Sequence, residues 1–409
     1  MMKERQKIYK AEQWHCYSCS SITFYFLIYN EMANNFNLGQ ARRQIRRQPH
    51  PSERPPLTFG VEIELVLGFL APNDQDPHPL DPRAGYGVLS ELADGAKDRR
   101  NYWSVTPEYI TSEAYRDLTI TLQHADIPVY VQGSSSDESE ELKCWCMEDD
   151  PSIQRPTGSD SDNYTWVRVE IKSPALYVTT EAFEQVAAVC ELLSSNYRVC
   201  THQETSAGLH VHVGQENNGF HIEALRNLLS TIWIFQGQLE TVHPDHRLST
   251  RWAPSLRTDS VLAKKIVDDG LAKEQVLELL SQAGDESSDP SKLINIAADR
   301  EQLLKLFLPR GARRLAYNIN GLLQIVDGKD GRSTIEFRQH ESTIDIQRVI
   351  NWLKVCVGLV EFAYAVDFRV LGLFLEAHLG DTTEEFNIVH VLKAVGLPPQ
   401  MLFYGSSLG

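Results

Sequence analysis

Alternation of β-branched or aromatic residues with charged ones marks four short stretches of this chain. They are Gly60-Val61-Glu62-Ile63-Glu64, Arg168-Val169-Glu170-Ile171-Lys172-Ser173-Pro174, Gly208-Leu209-His210-Val211-His212-Val213-Gly214 and Thr334-Ile335-Glu336-Phe337-Arg338-Gln339-His340. Successive side chains of a strand point to opposite faces, so the pattern predicts strands with one apolar and one polar face. Ordinary solvated faces are rich in Lys, Thr and Ser, whereas these carry Glu-x-Glu, His-x-His and Glu-x-Arg. Four such strands predict a sheet whose wet face is an active site.

The spacing elsewhere predicts a first strand over about Leu57–Leu67, a Pro- and Asp-rich loop at Ala71–Arg83, and helices near Val88–Arg99 and Glu113–Ala125. Short strands are expected at Ile127–Gln132 and Leu142–Met147, with a solvated loop at Gly133–Glu141 between them. Thr179 or Thr180 can cap a helix to about Asn196, with Phe183, Val186, Cys190 and Leu193 at helical spacing. Ile222–Thr241 is helical, and a mainly helical insertion over about 258–308 is broken by the polar run Ala283–Lys292. A hairpin is expected from Tyr317–Val326 and Thr334–His340, joined by Asp327-Gly328-Lys329-Asp330-Gly331. Thr343 or Asp345 caps a last long helix to about Val366. Strands that recur irregularly between helices, with no βαβ rhythm, predict an α+β fold whose mostly antiparallel sheet is backed by helices.

The domain reading follows. Residues 1–56 form a disordered or non-native extension, because Met32–Pro56 is too rich in Asn, Gln, Arg and Pro to bury much; 57–370 form a catalytic domain and 371–409 a C-terminal helical tail. A formal charge of −16 argues against non-specific nucleic-acid binding, so anionic ligands need local arginines or cations. The apolar run Ser21–Tyr29 is too short to span a bilayer, which argues against a membrane anchor. Seven scattered cysteines do not resemble a disulfide framework, so a reducing, cytoplasmic setting is expected; Cys16-x-x-Cys19 has zinc-knuckle spacing but no matching second pair.

Side chains two apart on a strand lie roughly 7 Å apart on one face, so Glu62 and Glu64 can each hold a separate cation. Glu170, His210 and Glu336 can complete the ligand sets. Oxygen-rich ligation with one imidazole suits Mg²⁺ or Mn²⁺, and Mg²⁺ usually comes with phosphate. Arg338, two residues after Glu336, offers a planar donor fork for phosphate oxygens, and Arg313 or Arg314 can add another.

In these residues the chain resembles the amidoligase family, a branch of the carboxylate–amine ligases with the glutamine synthetase fold. The resemblance rests on the four motifs in order, together with Trp145 followed by Asp150-Pro151-Ser152, and Arg313 with Asn318. It runs from about Leu57 to Val366. It implies that Glu62, His210 and Glu336 hold one metal and Glu64 and Glu170 the other, with His212, Arg338, Arg313 and Asn318 toward ATP. Asp150 and Ser152 would sit near the substrate amine or amino acid, although Glu148-Asp149-Asp150 leaves two registers open for the aspartate. The implied reaction is ATP-dependent amide-bond formation between a carboxylate (amino acid, peptide or protein side chain) and an amine, through an acyl phosphate. Two rivals remain: a cupin-like metal enzyme built on His210-x-His212-x₃-Glu216, and a non-catalytic relative that binds nucleotide or protein through the sheet.

Overall fold

The computed structural model describes residues 56–70, 80, 107–130, 143–156, 164–200, 206–215, 219–248, 250–270, 300–309, 314–326 and 333–406. Its centre is a sheet of eight strands: β1 (Thr58–Phe69), β2 (Cys146–Glu148), β3 (Thr165–Lys172), β4 (Leu176–Tyr177), β5 (Arg198–Cys200), β6 (Gly208–Gly214), β7 (Tyr317–Asn318) and β8 (Thr334–Glu341). The main path runs β2-β3-β1-β6-β8-β7, with β4 and β5 pairing to β1, and all these pairings are antiparallel. The fold is therefore α+β, an open antiparallel sheet backed by helices.

Alternation decides which face the helices cover. Phe59, Val61, Ile63, Leu65, Leu67 and Phe69 of β1 are all buried, and Val167, Val169, Ile171, Leu209, Val211, Val213, Ile335 and Phe337 line up beside them. Onto this face pack α2 (Thr180–Asn196), α3 (Ile222–Glu240) and α7 (Ile346–Ala365), while α1 (Pro107–Gln123) lies against β3 and α2. Thr179 caps α2 by accepting from the Ala182 N–H at 3.2 Å, and Asp345 caps α7 by accepting from the Arg348 N–H at 2.9 Å.

The expected helical insertion is helical at its flanks, in α4 (Val261–Asp269) and α5 (Arg300–Leu306); residues 271–299 lie outside the described residues. The expected helix at Val88–Arg99, the loop Gly133–Glu141, the loop Ala71–Arg83 apart from Leu80, and the hairpin turn Asp327–Gly331 lie outside them too, as does all of residues 1–55.

Some expectations are corrected. Of Ile127–Gln132, the described residues 127–130 contribute one isolated bridge, Val129 to Trp145, where a strand is expected, and Pro128 has no N–H with which to extend it; residues 131 and 132 lie outside the described residues. Tyr317–Val326 is not a strand throughout: after Asn318 the chain turns into α6 (Asn320–Val326). The cause is local, because the Asn318 Oδ1 accepts from the Asn320 N–H at 3.1 Å and bends the backbone out of the sheet. The third correction concerns β8, where the register with β6 shifts between Leu209 and Val211. This bulge breaks the alternation, so His340 pairs with Leu209 and lies among His243 and Trp352 instead of beside Glu336 and Arg338.

The C-terminal helices α8 (Phe368–Ala377), α9 (Ile388–Ala394) and α10 (Pro398–Gly405) share the main core through Leu371, Phe374, Leu375, Val391, Leu392 and Tyr404. No single helix among the described residues is long and apolar enough to cross a membrane, and the α7–α8 pair is bent by 119°.

Candidate active site

The face opposite the helices gathers the charged residues of the four motifs, His340 excepted. In the ladders Glu62 lies across from Lys172 on one side and His210 on the other, Glu64 across from Glu170, and His212 across from Glu336. The face is not wet. Glu62, Glu64, Glu170, His210, Glu336 and Arg338 are each no more than 9% exposed. The segment after α3 closes over it at the β6–β8 side, where the Trp252 carbonyl accepts from Arg338 Nε at 3.4 Å and the Pro254 carbonyl from the Ala316 N–H.

Two sets of ligand atoms result. Glu62, His210 and Glu336 each offer an atom within 4.8 Å of the others, and so do Glu64, Glu170 and His210. His210 serves both through different nitrogens: Nδ1 is 3.4 Å from Glu62 and 3.7 Å from Glu336, while Nε2 is 3.6 Å from Glu64. Glu64 is fixed further by the Gly208 N–H, which donates to Oε2 at 2.7 Å.

Cationic side chains divide between the sets. Arg338 Nη1 donates to Glu336 and lies 3.4 Å from His210 Nδ1, while Asn318 donates to the other Glu336 oxygen at 2.6 Å. His212 reaches Glu62 with Nε2 at 3.2 Å and Thr334 with Nδ1 at 3.1 Å. Beside the second set, the Lys172 ammonium bridges Glu170 at 2.9 Å and Glu148 at 2.5 Å.

Electrostatics separate the sets. Burial raises the Glu62 and Glu336 carboxyls, but for Glu62 the neighbouring His212 and His210 outweigh it and hold the group well below the usual carboxylate range. For Glu336, His212, Arg338 and His210 do the same, to about 2. Glu170 behaves oppositely: burial, then the charge of Glu62, pushes it up to about 7 despite Lys172. Burial also disfavours charge on His210, yet Glu64, Glu62 and Glu336 overcome it and raise its pKa. Buried carboxylates crowded until one resists ionising form a donor set that a divalent cation would relieve. Its oxygen-rich, one-imidazole chemistry fits Mg²⁺ or Mn²⁺.

Asp150 and Ser152 stand in a different setting. Ser152 donates to Asp150 from both its N–H (2.7 Å) and its Oγ (2.9 Å), which folds the residues after β2 into a turn. Asp149 instead clamps Arg168 at 3.1 and 2.9 Å, so of the two candidate aspartates it is Asp150 that leaves β2 toward Ser152. Arg313 and Glu216 lie outside the described residues.

Two residues were not assigned roles from the sequence. Lys172 is two residues from Glu170 on β3, and that phase is the sequence signal for it. Arg247 carries no sequence signal, because it ends a single 3-10 turn, Asp245–Arg247, too short to show periodicity. Buried to 3% exposure, it donates to the Ser206 carbonyl at 2.9 Å and to the Arg338 carbonyl at 3.1 Å. Its guanidinium crosses above Gly208, where an added Cβ would collide with Nη2.

The α+β fold thus carries a buried carboxylate–imidazole cluster with an arginine beside it. The chain belongs to the amidoligase family: the profile described as "putative amidoligase enzyme" matches residues 55–360. It is accordingly a ligase-type enzyme whose substrates are, in general terms, a carboxylate and an amine. No curated protein matches the chain.

Proposed function

We propose that this chain is an ATP-dependent carboxylate–amine ligase that works through an acyl-phosphate intermediate on a glutamine synthetase-like catalytic fold. The observation that supports it most is the pair of buried ligand sets on one sheet face with Arg338 reaching into them. In this reading Glu62, His210 and Glu336 hold one Mg²⁺ or Mn²⁺, and Glu64 and Glu170 the other. A neutral imidazole has a single lone pair, so His210 can ligate through Nδ1 and keep its Nε2–H toward Glu64. Bound there, the cations would supply Lewis-acid charge that lowers repulsion between the γ-phosphate and the substrate carboxylate.

The protein's own groups do the rest. A carboxylate oxygen attacks the γ-phosphorus and ADP leaves; the amine nitrogen then attacks the acyl carbon, the C–O bond to phosphate breaks, and the amine loses a proton. Arg338 turns its planar fork onto the transferring phosphoryl group, with His212 and Asn318, and on the sequence resemblance Arg313, along the rest of the polyphosphate. Asp150, with Arg168 taken by Asp149, is the carboxylate we assign with Ser152 to the amine. A face this buried excludes water, which would otherwise hydrolyse the acyl phosphate. The cupin-like rival needs Glu216 and leaves Glu62, Glu64 and Arg338 without work, so we set it aside.

The test is isotopic. Amino acids and amines are first screened for stimulated phosphate release from Mg-ATP, and the active carboxylate is then labelled in both oxygens with ¹⁸O. One labelled oxygen should leave with each phosphate, and Arg338→Lys should slow turnover by about a hundredfold, since a single ammonium cannot reproduce the fork. Turnover with unlabelled phosphate would exclude the acyl phosphate.

A further inference from the structure

We propose that Lys172 is the resident counter-cation of the Glu64–Glu170 pair, and that it withdraws onto Glu148 when a divalent cation takes Glu170. The inference rests on the reading of that pair as a cation site. The ammonium now touches both carboxylates, Glu170 at 2.9 Å and Glu148 at 2.5 Å. In the ladders Lys172 lies opposite Glu62, and Glu170 lies opposite both Glu64 and Glu148, so one ammonium stands where the two ligand sets meet β2.

The two partners differ in what they need. The Glu170 side chain is 11% exposed and Glu148 47%. A buried carboxylate left without a cation is costly, whereas a half-exposed one is solvated whether or not it is paired. Glu170 therefore keeps a cationic partner in both states, Lys172 in one and the metal in the other, while Glu148 receives the ammonium in the exchange. Lysine suits this task because its compact charge sits on a flexible stem and can swing between berths; arginine would hold both carboxylates in a fixed fork. The exchange moves no proton and breaks no covalent bond.

The experiment is a Mn²⁺ titration of the full chain without nucleotide, with free Mn²⁺ read by electron paramagnetic resonance and folding checked by thermal melting. Lys172→Met should bind Mn²⁺ about tenfold more tightly, because the metal no longer displaces an ammonium. Glu148→Gln should bind about threefold more weakly, since the ammonium is left with Glu170 alone. The double variant should fall within about twofold of Lys172→Met, as Glu148 acts only through the lysine. Lys172→Arg, which preserves charge and fold, should bind more weakly than wild type. Two independent, additive changes would mean that both side chains act as distant charges, which overturns the exchange. Unchanged affinity in Lys172→Met, or equal or tighter binding in Lys172→Arg, overturns it while leaving the cation reading intact. Folded proteins that bind no Mn²⁺ in any version overturn both.

Discussion

His340 shows how far a single residue's role depends on which face of a strand it occupies. Its Nδ1–H donates to the Glu341 carbonyl at 2.7 Å, and its ring meets those of His243 and Trp352. Burial, assisted by the nearby Arg348 charge, holds its pKa down at about 4. An unfolded histidine titrates near 6.5, so between about 6.5 and 4 the unfolded chain takes up a proton that the native one refuses. The stability from neutral His340 is thus fully present above about pH 6.5 and is lost as pH falls toward 4, by about 3 kcal/mol in total. His243, buried beside it and also lowered, adds in the same direction. Urea unfolding of wild type and His340→Asn across pH 4 to 7 should give a shallower pH dependence for the variant. Parallel curves would show that His340 is protonated in the native state.

Among the elements, the central strands were legible and their edges were not. β1, β3 and β6 carry two-residue alternation along their length and β8 carries it from Thr334 to Arg338, and the structure brings Glu62, Glu64, Glu170, His210 and Glu336 together on one face. What the sequence hid was non-periodic. A bulge inserts a residue without changing composition, so by spacing alone His340 is in phase with Arg338; β7 stops at Asn318 because its side chain bonds Asn320; and Arg247 reaches the site from a single 3-10 turn, Asp245–Arg247. Burial of the polar face was equally hidden, because the covering segment shows no pattern of its own. Gly208 joins these features. Its N–H holds Glu64 and its missing side chain gives Arg247 room to reach the Arg338 carbonyl. Gly208→Ala should therefore lower stability by about 1–3 kcal/mol, the usual cost of overfilling a packed site. It should also reduce ligase turnover more than its melting temperature suggests. A variant with wild-type denaturation midpoint and turnover would show that Arg247 can move aside freely.

At the scale of the whole molecule, the family match ends at residue 360, yet the core does not. Leu371, Phe374, Leu375, Ile388, Val391, Leu392 and Tyr404 are all buried, and Phe235 of α3 stacks on Phe386 and meets Phe374 at a tilt. Each such side chain is worth about 1.5–3 kcal/mol, and together they rival the roughly 5–15 kcal/mol net stability of a typical protein. A chain ending at Asp367 should consequently fail to melt cooperatively and should bind a hydrophobic dye; a cooperative transition within a few degrees of wild type would make the C-terminal helices dispensable. The central strands are also far apart along the chain. Glu62 meets His210 across 148 residues, His210 meets Arg338 across 128, and the Glu64 carbonyl accepts from Ser342 across 278. During synthesis, then, the acidic half of the centre emerges long before β8 brings Glu336 and Arg338 to it. A ribosome-bound or prematurely terminated chain that stops before β8 has carboxylates but no arginine fork beside them, so the centre is assembled in one step, when β8 joins β6.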